Sequence, residues 1–127
     1  MYSFSVTIDA TMEEAEVKVR EALMAEGFGV LTEIDVQKVM KAKLDIDRSG
    51  YKILGACNPT LANQAIEEEP DIGLLLPCNV LLREEADGKT SVGFMDPVAV
   101  LGMVDSAQIT ELAGMVKVKM EKVSKSL

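Results

Sequence analysis

The sequence predicts an α+β fold: one mainly antiparallel sheet with two long helices on the same face. Three observations carry this expectation. From Tyr2 to Ile8 apolar and polar residues alternate, the period of a half-buried strand. Two long stretches, Thr11–Glu26 and Asp105–Lys125, each carry one apolar stripe at helical spacing. An Asp87-Gly88 pair joins two apolar runs, as in a hairpin. One-sided helices laid on such a sheet make a layered domain, and no linker or low-complexity tract divides residues 1–127.

The elements follow in order. Tyr2, Phe4, Val6 and Ile8 mark the first strand. Thr11 caps the first helix, with Glu14 three residues on completing a capping box; Met12, Ala15, Val19, Ala22 and Leu23 form its apolar face, and Gly27 stops it. Phe28–Ile34 reads as a second strand. Asp35 caps a short helix through Leu44 whose apolar face is narrow. After a turn at Asp47–Gly50, Tyr51–Ala56 is a third strand. Asn58-Pro59 starts a helix, because Asn caps free amides and Pro is preformed for the first helical position. Leu61, Ala62, Ala65 and Ile66 give that helix its face, and Glu67–Pro70 ends it.

Ile72–Arg83 reads as a long apolar strand interrupted by Pro77, which lacks the ladder N–H and marks an edge, a bulge or a break. Thr90–Met95 returns antiparallel. Asp96-Pro97 ends it, a short apolar connection follows, and Asp105 or Ser106 caps the last helix. There Ile109, Leu112, Ala113, Val116, Met120 and Val123 share one face.

Composition excludes several functions. The net charge is −8 with pI near 4.5, and the basic residues are scattered, so the chain repels phosphate backbones and anionic membranes. No apolar run approaches the roughly 18 residues of a membrane span, and the start of the chain lacks a signal-peptide pattern. A cytoplasmic protein is expected. Histidine is absent, which removes the commonest general base and zinc ligand. Aromatics are only 4%, so aliphatics and eight methionines fill the core.

The chemistry concentrates in two phrases, Ala56-Cys57-Asn58-Pro59 and Pro77-Cys78-Asn79-Val80, which hold the only two cysteines. Cys57 stands just before a helix N-terminus, where free amides and positive potential favour a thiolate or a small anion; against this, free cysteine is usually packed and inert. Cys78 shares strand parity with Leu74, Leu76, Val80 and Leu82, so a core-facing thiol is the simplest account unless Pro77 bulges the strand and re-aims it. Asn79 takes the opposite parity among Leu75 and Leu81, where a buried amide needs partners. Asp96 reads as a turn residue that can face the two asparagines. Two distant cysteines without histidine do not make a zinc site, and no Walker or dinucleotide-binding pattern is present, so neither metal nor cofactor is expected.

These phrases, together with Gly27-Phe28-Gly29-Val30-Leu31-Thr32-Glu33-Ile34-Asp35-Val36, Tyr51-Lys52-Ile53-Leu54-Gly55, Leu61-Ala62, Leu75-Leu76 and Asp96-Pro97, resemble the family called domain of unknown function 302. The resemblance spans nearly the whole chain. It implies a TATA-box-binding-protein-like architecture and a dimer, and it maps the family motif onto Cys57, Asn58, Pro59, Pro77, Cys78 and Asn79. It implies no DNA binding, since that architecture hosts unrelated functions.

The resulting expectation is a homodimeric module that binds a small molecule or a partner through Cys57, Asn58, Pro59, Cys78, Asn79 and Asp96. The apolar residues on both faces of Ile72–Leu82 are the ground for the dimer. The alternative is thiol-dependent redox or sulfur handling, with Cys57 as the reactive thiol and Cys78 as its partner; the residues name no reaction.

Overall fold

The computed structural model describes all residues, Met1–Leu127. Five strands, β1 (Ser3–Ile8), β2 (Gly29–Asp35), β3 (Tyr51–Cys57), β4 (Cys78–Glu84) and β5 (Thr90–Met95), form one sheet in the order β1-β5-β4-β3-β2. Every neighbouring pair is antiparallel. The helices are α1 (Met12–Ala25), α2 (Val36–Leu44), α3 (Pro59–Glu68), α4 (Pro97–Leu101) and α5 (Ala107–Lys125), with a 3-10 helix at Pro70–Leu75. The fold is α+β, with a five-stranded antiparallel sheet.

Local chemistry sets most boundaries. Thr11 and Glu14 close a reciprocal capping box at the start of α1. Gly27, at φ +84°, lets the chain turn out of the helix while the Phe28 amide returns to the Leu23 carbonyl. Asp35, Asn58 and Ser106 each accept an amide hydrogen bond at the N-termini of α2, α3 and α5. Gly88 adopts φ +83° in the turn between β4 and β5.

Packing then decides which side is covered. Cross-strand partners put Leu54, Val80, Phe94 and Phe4 on one face of the sheet. Ala15, Val19 and Leu23 of α1 and Val116, Met120 and Val123 of α5 join these strand residues in one core. The opposite face carries neither long helix: Ile34 and Asn79 are exposed there, and Ile53 and Leu81 are half-buried.

Two sequence-based expectations are corrected. Ile72–Leu75 is not strand: Glu69 and Pro70 start the 3-10 helix, and β4 begins only at Cys78, after the break at Pro77. Its Ile72 is buried in a second, smaller core with Ala65, Leu101, Ile109 and Ala113. The apolar surplus read as a dimer surface is therefore partly consumed within the chain. The connection after Asp96 is a short helix, α4, capped by Asp96 and opened by Pro97. No helix is long and apolar enough to cross a membrane.

Candidate functional site: an apolar cavity at the Cys-Asn phrases

β3 and β4 pair with Ala56 opposite Cys78, which brings the two Cys-Asn phrases to one end of the sheet. β3 ends at Cys57 and β4 begins at Cys78. Side chains alternate along a strand. Cys78 therefore points with Ala56 into the main core, while Cys57 follows Gly55 toward the opposite face. Both thiols are unpaired; Cys78 is buried and Cys57 is half-buried. Side chains directed to opposite faces are poorly placed for a disulfide, which needs Cβ atoms within about 4.5 Å.

Beside the two thiols lies a cavity of about 310 Å³. It occupies the seam between the two cores. Phe28, Ala56 and Leu61 belong to the main core, whereas Ala65 and Leu101 belong to the smaller one; all five line the cavity. The physical reason is the break at Pro77. The chain leaves the plane of the sheet there, so the 3-10 helix, α3 and the first half of α5 pack on one another beyond the strand ends. Alanines 62 and 65 on α3 are too short to close the gap. A bulge in β2, between Val30 and Thr32, adds Leu31 to the rim with 66% of its surface exposed.

The walls are apolar and carry no formal charge: 13 of the 17 lining residues are hydrophobic, and none is Asp, Glu, Lys or Arg. Polar contributions come from Thr32, Asn58 and the thiols. The Asn58 Oδ1 accepts the Leu61 amide at 3.2 Å as the α3 cap, which leaves Nδ2 as a donor. Burial pushes the Cys57 thiol above its ordinary value. Burial, and secondarily the neighbouring Cys57, push Cys78 up to about 11. Burial thus favours the protonated thiol at both positions. No cluster of three or more Cys, Asp or Glu side chains is placed to hold a metal ion.

The remaining sequence candidates sit elsewhere. Pro59 opens α3 behind the Asn58 cap. Asn79 is exposed on the other face of the sheet, opposite Gly55, so it has no burial to offset. Asp96 caps α4 through the Val98 and Ala99 amides and pairs with Lys117 at 2.9 Å. Partial burial would raise its pKa, but the hydrogen bonds from Lys117, Ala99 and Val98 outweigh it and hold the carboxyl below its usual range. Neither Asn79 nor Asp96 lines the cavity. The structure thus unites Cys57, Cys78, Asn58 and Pro77, and leaves Asn79 and Asp96 apart.

Residues 4–127 match the family described as "Domain of unknown function DUF302". The chain belongs to this family. The crystal structure of an uncharacterized conserved protein DUF302 from Bacillus stearothermophilus superposes with a TM-score of 0.91 at 28% identity, covering 99% of this chain and 98% of that one. Comparison with curated proteins finds no match.

Within this DUF302 chain, Thr32, Ala62, Leu112 and Val116 belong to the site although sequence reasoning assigned them to a strand and to core faces. One signal was available. Leu61, Ala62, Ala65 and Ile66 make a helical stripe half of which is alanine, and an apolar stripe of small side chains leaves space when its partners are not large.

Proposed function

We propose that this DUF302 protein is a small-ligand-binding module whose site is the cavity at the Cys-Asn phrases. The observation that carries the reading is the cavity itself, apolar, uncharged and bounded by both cysteines and by Asn58. A concave, mostly apolar pocket with a few polar groups is the usual form of a small-molecule site. Native mass spectrometry of freshly purified protein tests it: a fraction of chains should carry one added small mass. Ala62→Phe, which fills the cavity from α3, should remove that mass while thermal unfolding stays cooperative. Unliganded wild-type protein that also takes up no added apolar probe would refute the reading.

The thiol-dependent alternative has weaker support, because both thiols hold their protons more tightly than an exposed cysteine. Alkylation needs the thiolate. Labelling of the native protein at pH 7 should therefore be slow, should rise about tenfold per pH unit above neutrality, and should become fast on denaturation. Rapid labelling of Cys57 at pH 7 would reverse the order of the two readings. The same shift has a stability consequence. A raised folded pKa stabilises fully while the unfolded thiol is still protonated. That contribution is lost as pH climbs through the ordinary thiol range toward the Cys78 value of about 11.

The proposal includes a homodimer and a cytoplasmic setting without nucleic-acid or membrane partners. The free thiols favour a reducing compartment. Two chains of charge −8 repel one another, so they meet best on a surface poor in charge. The open sheet face is such a surface: its central row runs Ile34, Ile53, Leu81, Gly93 and Ser5 without a charged residue. Sedimentation at micromolar concentration should show a dimer, and Leu81→Glu should dissociate it; a monomeric wild type contradicts this part of the proposal.

A further inference from the structure

We infer that the cavity takes a neutral amphipathic molecule: an alkyl chain of roughly eight to twelve non-hydrogen atoms ending in an uncharged hydrogen-bond acceptor, such as a ketone or an alcohol. This rests on the proposed ligand-binding role and names the class of ligand.

Size sets the first limit. An apolar cavity of about 150 Å³ holds one benzene. The volume here, about 310 Å³, is roughly twice that. The Ala62, Ala65 and Leu112 walls and the seam between two cores favour a chain over a compact polar metabolite.

Charge sets the second limit. A carboxylate or an ammonium entering an apolar site loses its hydration and must find a counter-charge. No Asp, Glu, Lys or Arg lines this cavity. The chain's charge of −8 further disfavours anions. A fatty acid and an alkylammonium are both disfavoured on this ground, whereas their neutral counterparts are not.

Two donors set the third limit. The Asn58 Oδ1 already accepts the Leu61 amide, whereas Nδ2 has no protein partner and donates without accepting, so the free group on this side chain is a donor. Nδ2 lies 3.1 Å from where a side chain on Gly27 would begin, so glycine is what leaves the amide its room. The Thr32 hydroxyl lies over Gly55 on the same rim and shares the lining with Asn58. Donors on an otherwise apolar wall suit a carbonyl or hydroxyl oxygen. A pure alkane makes no use of them.

The test is calorimetric titration with 2-octanone, 1-octanol, octane, octanoate and octylammonium at pH 7, and with 1-hexanol and 1-decanol for chain length. Affinity should rise roughly fourfold per methylene from hexanol until the cavity is full. Octanone and octanol should bind at least tenfold more tightly than octanoate or octylammonium. Thr32→Val removes the hydroxyl at nearly constant shape and should weaken octanone several-fold while leaving octane unchanged. Asn58→Asp keeps a capping oxygen for α3, removes the donor and adds a negative charge; it should weaken octanone and strengthen octylammonium. Ala62→Phe should abolish all binding, and retention there would place the probe elsewhere and overturn the inference. Octanoate or octylammonium binding as tightly as octanol would overturn the ligand class while sparing the cavity as a binding site. Absence of binding by every probe would overturn both.

Discussion

Phe94→Ala should lower the unfolding free energy by about 3–5 kcal/mol, a large share of the total for a domain of this size. Phe94 is 1% exposed near the end of β5 and stacks on Phe4 with ring centroids 5.2 Å apart. It sits across from Val80 in the one face of the sheet that both long helices cover. The chain has three phenylalanines and no tryptophan, so it has few bulky side chains with which to refill the space. Urea unfolding should show a lower midpoint with an unchanged slope. Phe4→Ala should cost less, because Phe4 is only partly buried, and the double variant should cost less than the two single losses added, since the rings touch. A loss below about 1 kcal/mol for Phe94→Ala would contradict the described core.

Gly55→Ala should destabilise by about 1–3 kcal/mol and weaken octanone binding at the proposed site as well. A methyl group at Gly55 would collide with the Thr32 Oγ1 and lie 2.8 Å from Cγ of Pro77. The proline ring cannot rotate away, and the threonine side chain is short and branched. Both residues line the cavity, so the strain is transmitted to its rim. Gly93, on the same face two strands further on, is the control. A methyl group there would meet the Leu81 Cβ at an ordinary 3.8 Å. Gly93→Ala should therefore be neutral or stabilising by up to about 1 kcal/mol, since alanine loses less backbone entropy than glycine in a strand. Equal effects of the two substitutions would mean that Thr32 and Pro77 do not close over Gly55.

The sequence by itself determined the elements whose signals are local. The alternation before Ile8, the Thr11–Glu14 box, the Asn58-Pro59 start and the Asp87-Gly88 turn each act within a few residues, and each stands where its chemistry places it. The reading of Asp96-Pro97 as a mere break missed a short helix that uses the same cap-and-proline start as Asn58-Pro59. Ile72–Leu75 misled for a different reason. A short apolar run has no period that separates a strand from a buried turn of helix, and the deciding contacts come from Ala65 on the preceding helix and from Leu101 and Ile109, distant in sequence. Asn79 shows the same limit. Its parity placed it on the face opposite Cys78, but whether that face is packed or open depends on where α1 and α5 lie. Both lie on the other side, so the asparagine is exposed. The cavity belongs wholly to the tertiary structure. It arises where the break at Pro77 separates two cores and where alanines on α3 meet Leu101 of α4 and Leu112 and Val116 of α5. Empty space is a property of the distance between elements, and no residue within one element encodes that distance alone.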